Sequence, residues 1–318
     1  MTGPDPSIET IGYLGPAGTF THEALLMLLP TAADDIVAMA SVAKALDAVR
    51  EGEVAASLVP IENSVEGAVS ATLDELAVGG GLQIRAEIAI PVRFCLAATD
   101  PESPIRTVVT HPHAQAQCRT WVANHLPGIE VVPAASTAAA AAAVARGEFD
   151  AAICAHRAAA EYDLSIRADD IADNPDAETR FILVGPPGPP PPATGADKTT
   201  LDVYLREDHP GALLEILTEF AVRGVNLTRI ESRPTKTTLG NYYMSIDCEG
   251  HVSDEAVGEA LMGLHRICGS VHYRGSYARH DGRPPLRRAG TSNNDFAEAR
   301  SWLARIRNLR ESGEEGLR

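Results

Sequence analysis

Two stretches of the chain repeat each other without a gap at an offset of 95 residues: Ser41-Val-Ala-Lys-Ala-Leu-Asp-Ala-Val-Arg-Glu-Gly52-Glu53 and Ser136-Thr-Ala-Ala-Ala-Ala-Ala-Ala-Val-Ala-Arg-Gly147-Glu148. Each reads as a Ser helix cap, an Ala-rich helix, a Gly stop and an apolar strand, Val54–Val59 in one copy and Phe149–Cys154 in the other. The same offset carries strand Ile11–Leu14 onto strand Arg106–Val109, and the turn Gly15-Pro-Ala-Gly-Thr-Phe onto Thr110-His-Pro-His-Ala-Gln. Ala bias alone would match the helices but not the paired caps, stops and turns. The repeat therefore predicts two similar α/β lobes with a cleft between them. Aromatic residues are only 5% of the chain, so the cores must be built mainly from Ala, Val, Leu and Ile.

A second feature divides the chain. Gly185-Pro-Pro-Gly-Pro-Pro-Pro-Pro-Ala-Thr-Gly-Ala-Asp197 holds six Pro and three Gly, which sustain neither a helix nor a strand ladder and read as a stiff spacer. The expected organisation is a unit over residues 1–185, a linker over 186–197, a second unit over 198–278 and a tail over 279–318. The second unit alternates as strand Thr199–Arg206, helix Ala212–Arg223, strand Val225–Arg233, strand Asn241–Cys248, helix Asp254–Cys268 and strand Ser270–Tyr277. That βαββαβ order predicts a ferredoxin-like fold, a four-stranded antiparallel sheet with two helices on one face. In the tail, Phe296, Ala299, Leu303 and Ile306 share one face of a short amphipathic helix that would dock on its own domain or on a partner.

Charge and cysteine usage exclude several classes. The net charge of −16 repels phosphate backbones, so nucleic acid is not an expected partner. An anionic substrate would have to be held locally, by helix N-termini or a single Arg, against that field. No apolar run approaches the ~20 residues of a membrane span, and Met1–Ser7 lacks the basic and apolar regions of an export signal. Five Cys without CxxC or zinc spacing point to buried thiols in a reduced, cytoplasmic compartment. His111 and His113 flank Pro112 and lack a third ligand, so no metal is expected. The absence of GxSxG, Walker, HExxH and full GxGxxG motifs removes the main support for serine hydrolase, phosphoryl-transfer, zincin and dinucleotide readings.

Three polar motifs fall at strand ends of the first unit, where open α/β sheets bind ligands. Gly15-Pro-Ala-Gly-Thr19-Phe-Thr21 precedes the helical run His22–Leu29 and is either an anion-holding helix start or a tight turn with a Thr cap. Pro60-Ile-Glu62-Asn63-Ser64 offers a carboxyl, an amide and a hydroxyl at the cleft edge, or else caps a helix over Val65–Ala77. Thr179-Arg180-Phe181 opens a strand, and Arg180 would serve as a bidentate carboxylate clamp or as a structural residue.

Taken together these motifs resemble the prephenate dehydratase family. The matching segments are Gly12-Tyr-Leu-Gly-Pro-Ala-Gly-Thr-Phe-Thr21, Val59-Pro-Ile-Glu-Asn-Ser-Val-Glu-Gly67, Thr110-His-Pro-His-Ala-Gln-Ala-Gln117 and Thr179-Arg-Phe181. The second unit resembles the ACT regulatory domain through Gly211-Ala-Leu-Leu214 and Glu231-Ser-Arg-Pro234. The likeness runs from about Ile11 to Tyr277; Thr21 stands where Ser is common, and the tail lies outside the family pattern.

The resemblance implies a cofactor-free lyase that turns prephenate into phenylpyruvate, carbon dioxide and water, with a two-lobed, periplasmic-binding-protein-like catalytic domain and an ACT domain. It implies an essential hydroxyl at Thr179 and substrate contacts at Glu62, Asn63, Thr110 and Gln117. Thr19, Ser64, Arg180 and Phe181 are the further expected substrate-binding residues. Thr179 is expected to polarise the departing hydroxyl, and Glu62 would be the proton source if desolvation raised its pKa. Asn63, Gln117 and the Gly15–Thr19 turn are expected to hold carboxylates through neutral dipoles. The resemblance further implies an L-phenylalanine site at Gly211, Ala212, Leu213, Leu214, Asn226, Leu227, Glu231 and Ser232, shared across a homodimer or homotetramer. The remaining alternatives are an arogenate dehydratase, a decarboxylase that keeps the hydroxyl, and a non-catalytic amino-acid sensor.

Overall fold

The two echoing segments fold alike. In the first, β1 (Ile11–Leu14), α1 (Phe20–Leu28), β2 (Ile36–Met39), α2 (Val42–Arg50) and β3 (Ala56–Asn63) place three parallel strands in the order β2-β1-β3. Then come β4 (Gly67–Ala68), α3 (Ser70–Ala77), β5 (Gln83–Pro91) and β6 (Cys95–Ala98). In the second, β7 (Thr107–Thr110), α4 (Pro112–Gln117), α5 (Arg119–His125), β8 (Glu130–Pro133), α6 (Thr137–Ala145) and β9 (Ala151–Cys154) repeat the parallel order as β8-β7-β9. The echoed Ser residues do what their position predicts: the Ser41 hydroxyl accepts from Lys44 N at 3.2 Å and the Ser136 hydroxyl from Ala139 N at 2.9 Å. This computed structural model describes residues 10–32, 35–78, 81–236 and 241–308. Met1–Ser7 and the tail beyond 308 lie outside the described residues.

The lobes are not two consecutive halves. After α7 (His156–Glu161) and β10 (Ser165–Ala168), β11 (Glu178–Gly185) returns to the first sheet and runs antiparallel beside β3. The sheets are β2-β1-β3-β11-β5, with β4 on β3, and β10-β6-β9-β7-β8. Two segments cross between the lobes, 92–94 and 169–177, and they are bonded to each other through Val92 N to Ala177 O at 2.7 Å and Ile171 N to Phe94 O at 3.0 Å. Two parallel-cored sheets joined by paired crossings are the architecture of a periplasmic-binding-protein-like fold.

Each lobe fills its core as the composition requires. Ala138, Ala140, Ala141 and Val144 of α6 pack against Cys95, Val109 and Ala152, small side chains that let the helix lie close to the sheet. The first lobe uses larger groups, Tyr13, Leu25, Leu58, Ile90 and Phe181, each contributing about 1.5–3 kcal/mol when fully buried. The helix expected over residues 65–77 begins only at Ser70, because Gly67, at φ +83°, turns the chain back so that β4 pairs with β3.

The chain divides into two compact units, Met1–Leu82 with Ala86–Pro187 and Gln83–Arg85 with Gly188–Arg318. The second unit contains β12 (Asp197–Tyr204), α8 (Ala212–Ala221), β13 (Leu227–Pro234), β14 (Tyr242–Glu249), α9 (Glu255–Ile267) and β15 (Ser270–Ala278). Its antiparallel sheet β13-β14-β12-β15 packs Leu201, Ile216, Phe220, Ile246 and Leu264 into one core, as the ferredoxin-like pattern predicts. The tail forms α10 (Asn293–Asn308); Phe296 packs on that core and Arg300 pairs with Glu255, whereas Trp302, Leu303 and Ile306 are exposed. Among the described residues no helix is long and apolar enough to cross a membrane. All five Cys are buried and free, and burial pushes the thiols of Cys118 and Cys248 up to about 12, far from a reactive thiolate.

One glycine is fixed by close approach between the lobes. Gly18 has φ +82°, and a Cβ there would lie 3.0 Å from the Ala158 Cα on α7. Gly18→Ala should lower stability by about 1–3 kcal/mol in urea unfolding, from the left-handed backbone and the overlap together. Unchanged stability would mean that the turn is not held against α7.

Candidate active site

A cavity of about 460 Å³ lies between the lobes. The first lobe lines it with Thr19, Asn63, Glu66, Thr179 and Phe181, the second with His111, His113, Gln117 and Ser136, and the crossing segment with Val92 and Phe94. None of the described lining residues is Lys or Arg. Three helices of eight or nine residues begin at its wall: α1 behind its cap Thr19, α3 at Ser70 and α6 behind its cap Ser136. Each brings unpaired N–H groups and about half a positive charge, and α3 has no side-chain cap.

The centre of the site follows from strand register. Thr179 of β11 lies opposite Asn63 of β3, and Asn63 Nδ2 donates to Thr179 Oγ1 at 2.8 Å. The register shifts at this point, so Phe181 meets Pro60 rather than Ile61. That extra residue puts Pro60 and Asn63 on the cavity wall together while Ile61 is fully buried. The other end of the Asn63 amide is also fixed, because Oδ1 accepts from Val65 N at 2.9 Å and Glu66 N at 3.0 Å. Its orientation is therefore set: the donor faces Thr179. The Thr179 oxygen has received one hydrogen bond, and among the described residues no acceptor takes its own hydrogen. Asn63 is thus a partner of Thr179, and the second hydrogen of its Nδ2 is left for the carboxylate contact that was expected.

The alternation that brings Thr179 and Phe181 to the cavity takes Arg180 and Glu62 away from it. Arg180, 6% exposed, places one nitrogen 2.8 Å from Glu87 and another 3.1 Å from Glu62. Its fork is occupied by two carboxylates, so the expected substrate clamp is corrected to a buried structural pair. Glu62 is likewise corrected: its carboxylate sits on Arg180 and does not line the cavity. Thr110 is fully buried, and its hydroxyl donates to Ile153 O at 2.7 Å, pinning β7 to β9. Ser64 also lies off the cavity; it accepts from Glu178 N at 2.9 Å, and its own N–H donates to Glu178 O at 2.9 Å, which anchors the start of β11 beside Thr179. Thr19 reaches the wall, with its hydroxyl accepting from His22 N at 3.3 Å and its O–H directed at Leu14 O and Pro16 O.

Sequence reasoning missed Glu66 and weighed His113 only as a metal ligand. Glu66 spans the cleft, with one carboxylate oxygen 2.8 Å from His113 Nδ1 and the other 3.2 Å from Gln117 Nε2. Its place in the turn three residues after Asn63 gave no signal without the lobe geometry. Burial lowers the pKa of His111, and its Nδ1 accepts from His113 N at 3.3 Å. Among the described residues no group of three His, Cys, Asp or Glu side chains is placed to hold a metal.

A prephenate dehydratase family model matches residues 11–188, more than half of the chain, and an ACT domain model matches residues 199–266. The chain belongs to the prephenate dehydratase family. It is 48% identical to a prephenate dehydratase of Amycolatopsis methanolica over 94% of this chain and 98% of the relative. It also superposes on the crystal structure of an Arthrobacter aurescens prephenate dehydratase in complex with L-Phe, with a TM-score of 0.89, 52% identity and coverage of 94% and 99% of the two chains. A protein described as a novel type of quorum quenching acylase is more distant, at 28% identity and a TM-score of 0.76 over 86% of this chain and 100% of that one. The family is one of lyases, and the two-unit organisation of dehydratase and ACT domain is that of this chain.

In the ACT unit the expected effector residues lie at the start of α8 and on or just before β13. Gly211 starts α8 at φ +97°, and Leu213 and Leu214 behind it are 42% and 66% exposed. Ala212, Asn226 and Ser232 line three different cavities of about 190, 20 and 430 Å³. Glu231 is half-buried on the edge strand β13, and Leu227 begins that strand.

The Arg180 correction is testable by stability. Arg180→Ala removes the guanidinium 2.8 Å from the buried Glu87 carboxylate and should cost about 3–5 kcal/mol in chemical unfolding. Unchanged stability with a raised KM would return the guanidinium to the substrate.

Proposed function

We propose that the inter-lobe cavity converts prephenate to phenylpyruvate, carbon dioxide and water, with the Thr179 hydroxyl donating to the departing C4 oxygen. In this reaction the ring–carboxylate bond breaks and its electron pair enters the ring. The C4–O bond breaks with its pair on oxygen, and that oxygen leaves as water after taking up one proton. Aromatisation supplies the driving force, so the chemistry needs no cofactor. The observation that carries the proposal is that Thr179 accepts from Asn63 and keeps its own hydrogen for the cavity. The amide bond into Oγ strengthens the hydroxyl as a donor. An alcohol does not ionise near neutral pH, so Thr179 polarises the leaving oxygen and does not protonate it outright.

The substrate is a dianion and the chain carries a net charge of −16, yet the described wall has no Lys or Arg. Helix N-termini replace them, each worth about 0.3–1 kcal/mol toward an anion, and more where water is excluded. Phe20, Phe94 and Phe181 give the ring an apolar bed.

The ACT unit in this proposal binds L-phenylalanine, as the Arthrobacter aurescens relative does in its crystal. The exposed Leu213 and Leu214, and the dispersal of Ala212, Asn226 and Ser232 over separate cavities, favour a site completed by a second copy, hence a homodimer or homotetramer. Five buried free thiols fit a cytoplasmic enzyme.

Steady-state turnover of prephenate, with arogenate run alongside, tests the reading. Thr179→Val should lower kcat by about 10²–10³ with KM near wild type. Asn63→Asp should lower kcat comparably, because a carboxylate only accepts and would capture the Thr179 hydrogen. Near-wild-type kcat in either variant removes that residue from the mechanism. Glu231→Ala should raise the L-Phe concentration for half-inhibition by about tenfold while basal turnover is kept; unaltered inhibition refutes the effector site.

A further inference from the structure

Gln117 is 9% exposed, and its two amide ends are in different states. Nε2 donates to Glu66 Oε1 at 3.2 Å across the cleft, whereas Oε1 is buried and without a partner among the described residues. A carboxylate only accepts, so the atom facing Glu66 must be the NH2 group, and the carbonyl is the end left over. A buried carbonyl without a donor is unfavourable, and a ligand that brings a donor relieves it. The two carboxylates of prephenate are acceptors when ionised, and its C4 hydroxyl is the O–H it can offer.

We propose that Glu66 is a positioning residue: it holds the Gln117 amide so that Oε1 accepts the hydrogen of the substrate hydroxyl. The inference rests on the dehydratase reading and deepens it. A hydroxyl whose hydrogen is taken by Gln117 presents its lone pairs to Thr179, and this fixes the direction in which the oxygen departs. Glu66 is itself held at both ends. Its backbone N–H donates to Asn63 Oδ1, and its second carboxylate oxygen lies 2.8 Å from His113 Nδ1. The same Asn63 amide that orders Thr179 therefore orders the turn that orders Gln117.

Position and charge are separated by two substitutions at residue 66. Glu66→Gln keeps the reach and an accepting carbonyl; it should retain at least about a third of wild-type kcat on prephenate. Glu66→Asp keeps the charge but withdraws the acceptor by a methylene; it should lose about tenfold or more in kcat. In a Gln117→Ala background, Glu66→Asp should cost less than about twofold further. The proposal is overturned if Glu66→Asp matches wild type, if Glu66→Gln is the more damaged of the two, or if the loss is equal in both backgrounds. Wild-type protein in the same series separates the failures: no phenylpyruvate from it would overturn the dehydratase reading instead.

Discussion

The antiparallel pairing of β11 with β3 is the constraint on which the site depends. It joins Thr179 to Asn63 across 116 positions of sequence, at a register that leaves 2.8 Å between amide and hydroxyl. Everything near it serves that register. Ser64 exchanges bonds with Glu178 at the strand start, the extra residue in β3 turns Asn63 to the wall, and the Arg180 pair with Glu62 and Glu87 fixes the opposite face. A one-residue slip would exchange the faces and send the hydroxyl into the protein.

The electrostatic solution follows from the same strand pair. The cation nearest in sequence to Thr179 is engaged by Glu87, which is buried, and by Glu62, which is partly exposed, and in the proposed reading backbone dipoles meet the anion instead. Among the described lining residues no guanidinium stands where it would compete with Thr179. Glu66, the carboxylate on the wall, is engaged by His113 and Gln117 across the cleft, which softens its repulsion of a dianion.

Much of this was legible in the sequence. The repeat around Ser41 and Ser136 foretold the twin lobes, because a helix cap and its stop are local signals. The βαββαβ order of the second unit was equally local. The family motifs brought Thr19, Asn63, Gln117, Thr179 and Phe181 into view, and all five line the cavity. What stayed hidden was non-local. The return of β11 to the first sheet depends on pairing between distant segments, so residues adjacent in a motif, Glu62 beside Asn63 and Arg180 beside Thr179, were all assigned to the site. Strand alternation turns the first of each pair away from the wall, toward each other. Glu66 was invisible because its partners belong to the other lobe.

The central claim is that the Thr179 hydrogen is held for the oxygen that leaves C4. The most direct measurement is a crystal structure with a non-reacting, saturated-ring analogue of prephenate that retains the C4 hydroxyl. The account predicts that oxygen about 2.5–3.0 Å from Thr179 Oγ. An analogue seated in the cavity with its hydroxyl beyond hydrogen-bond reach of Thr179 would contradict it.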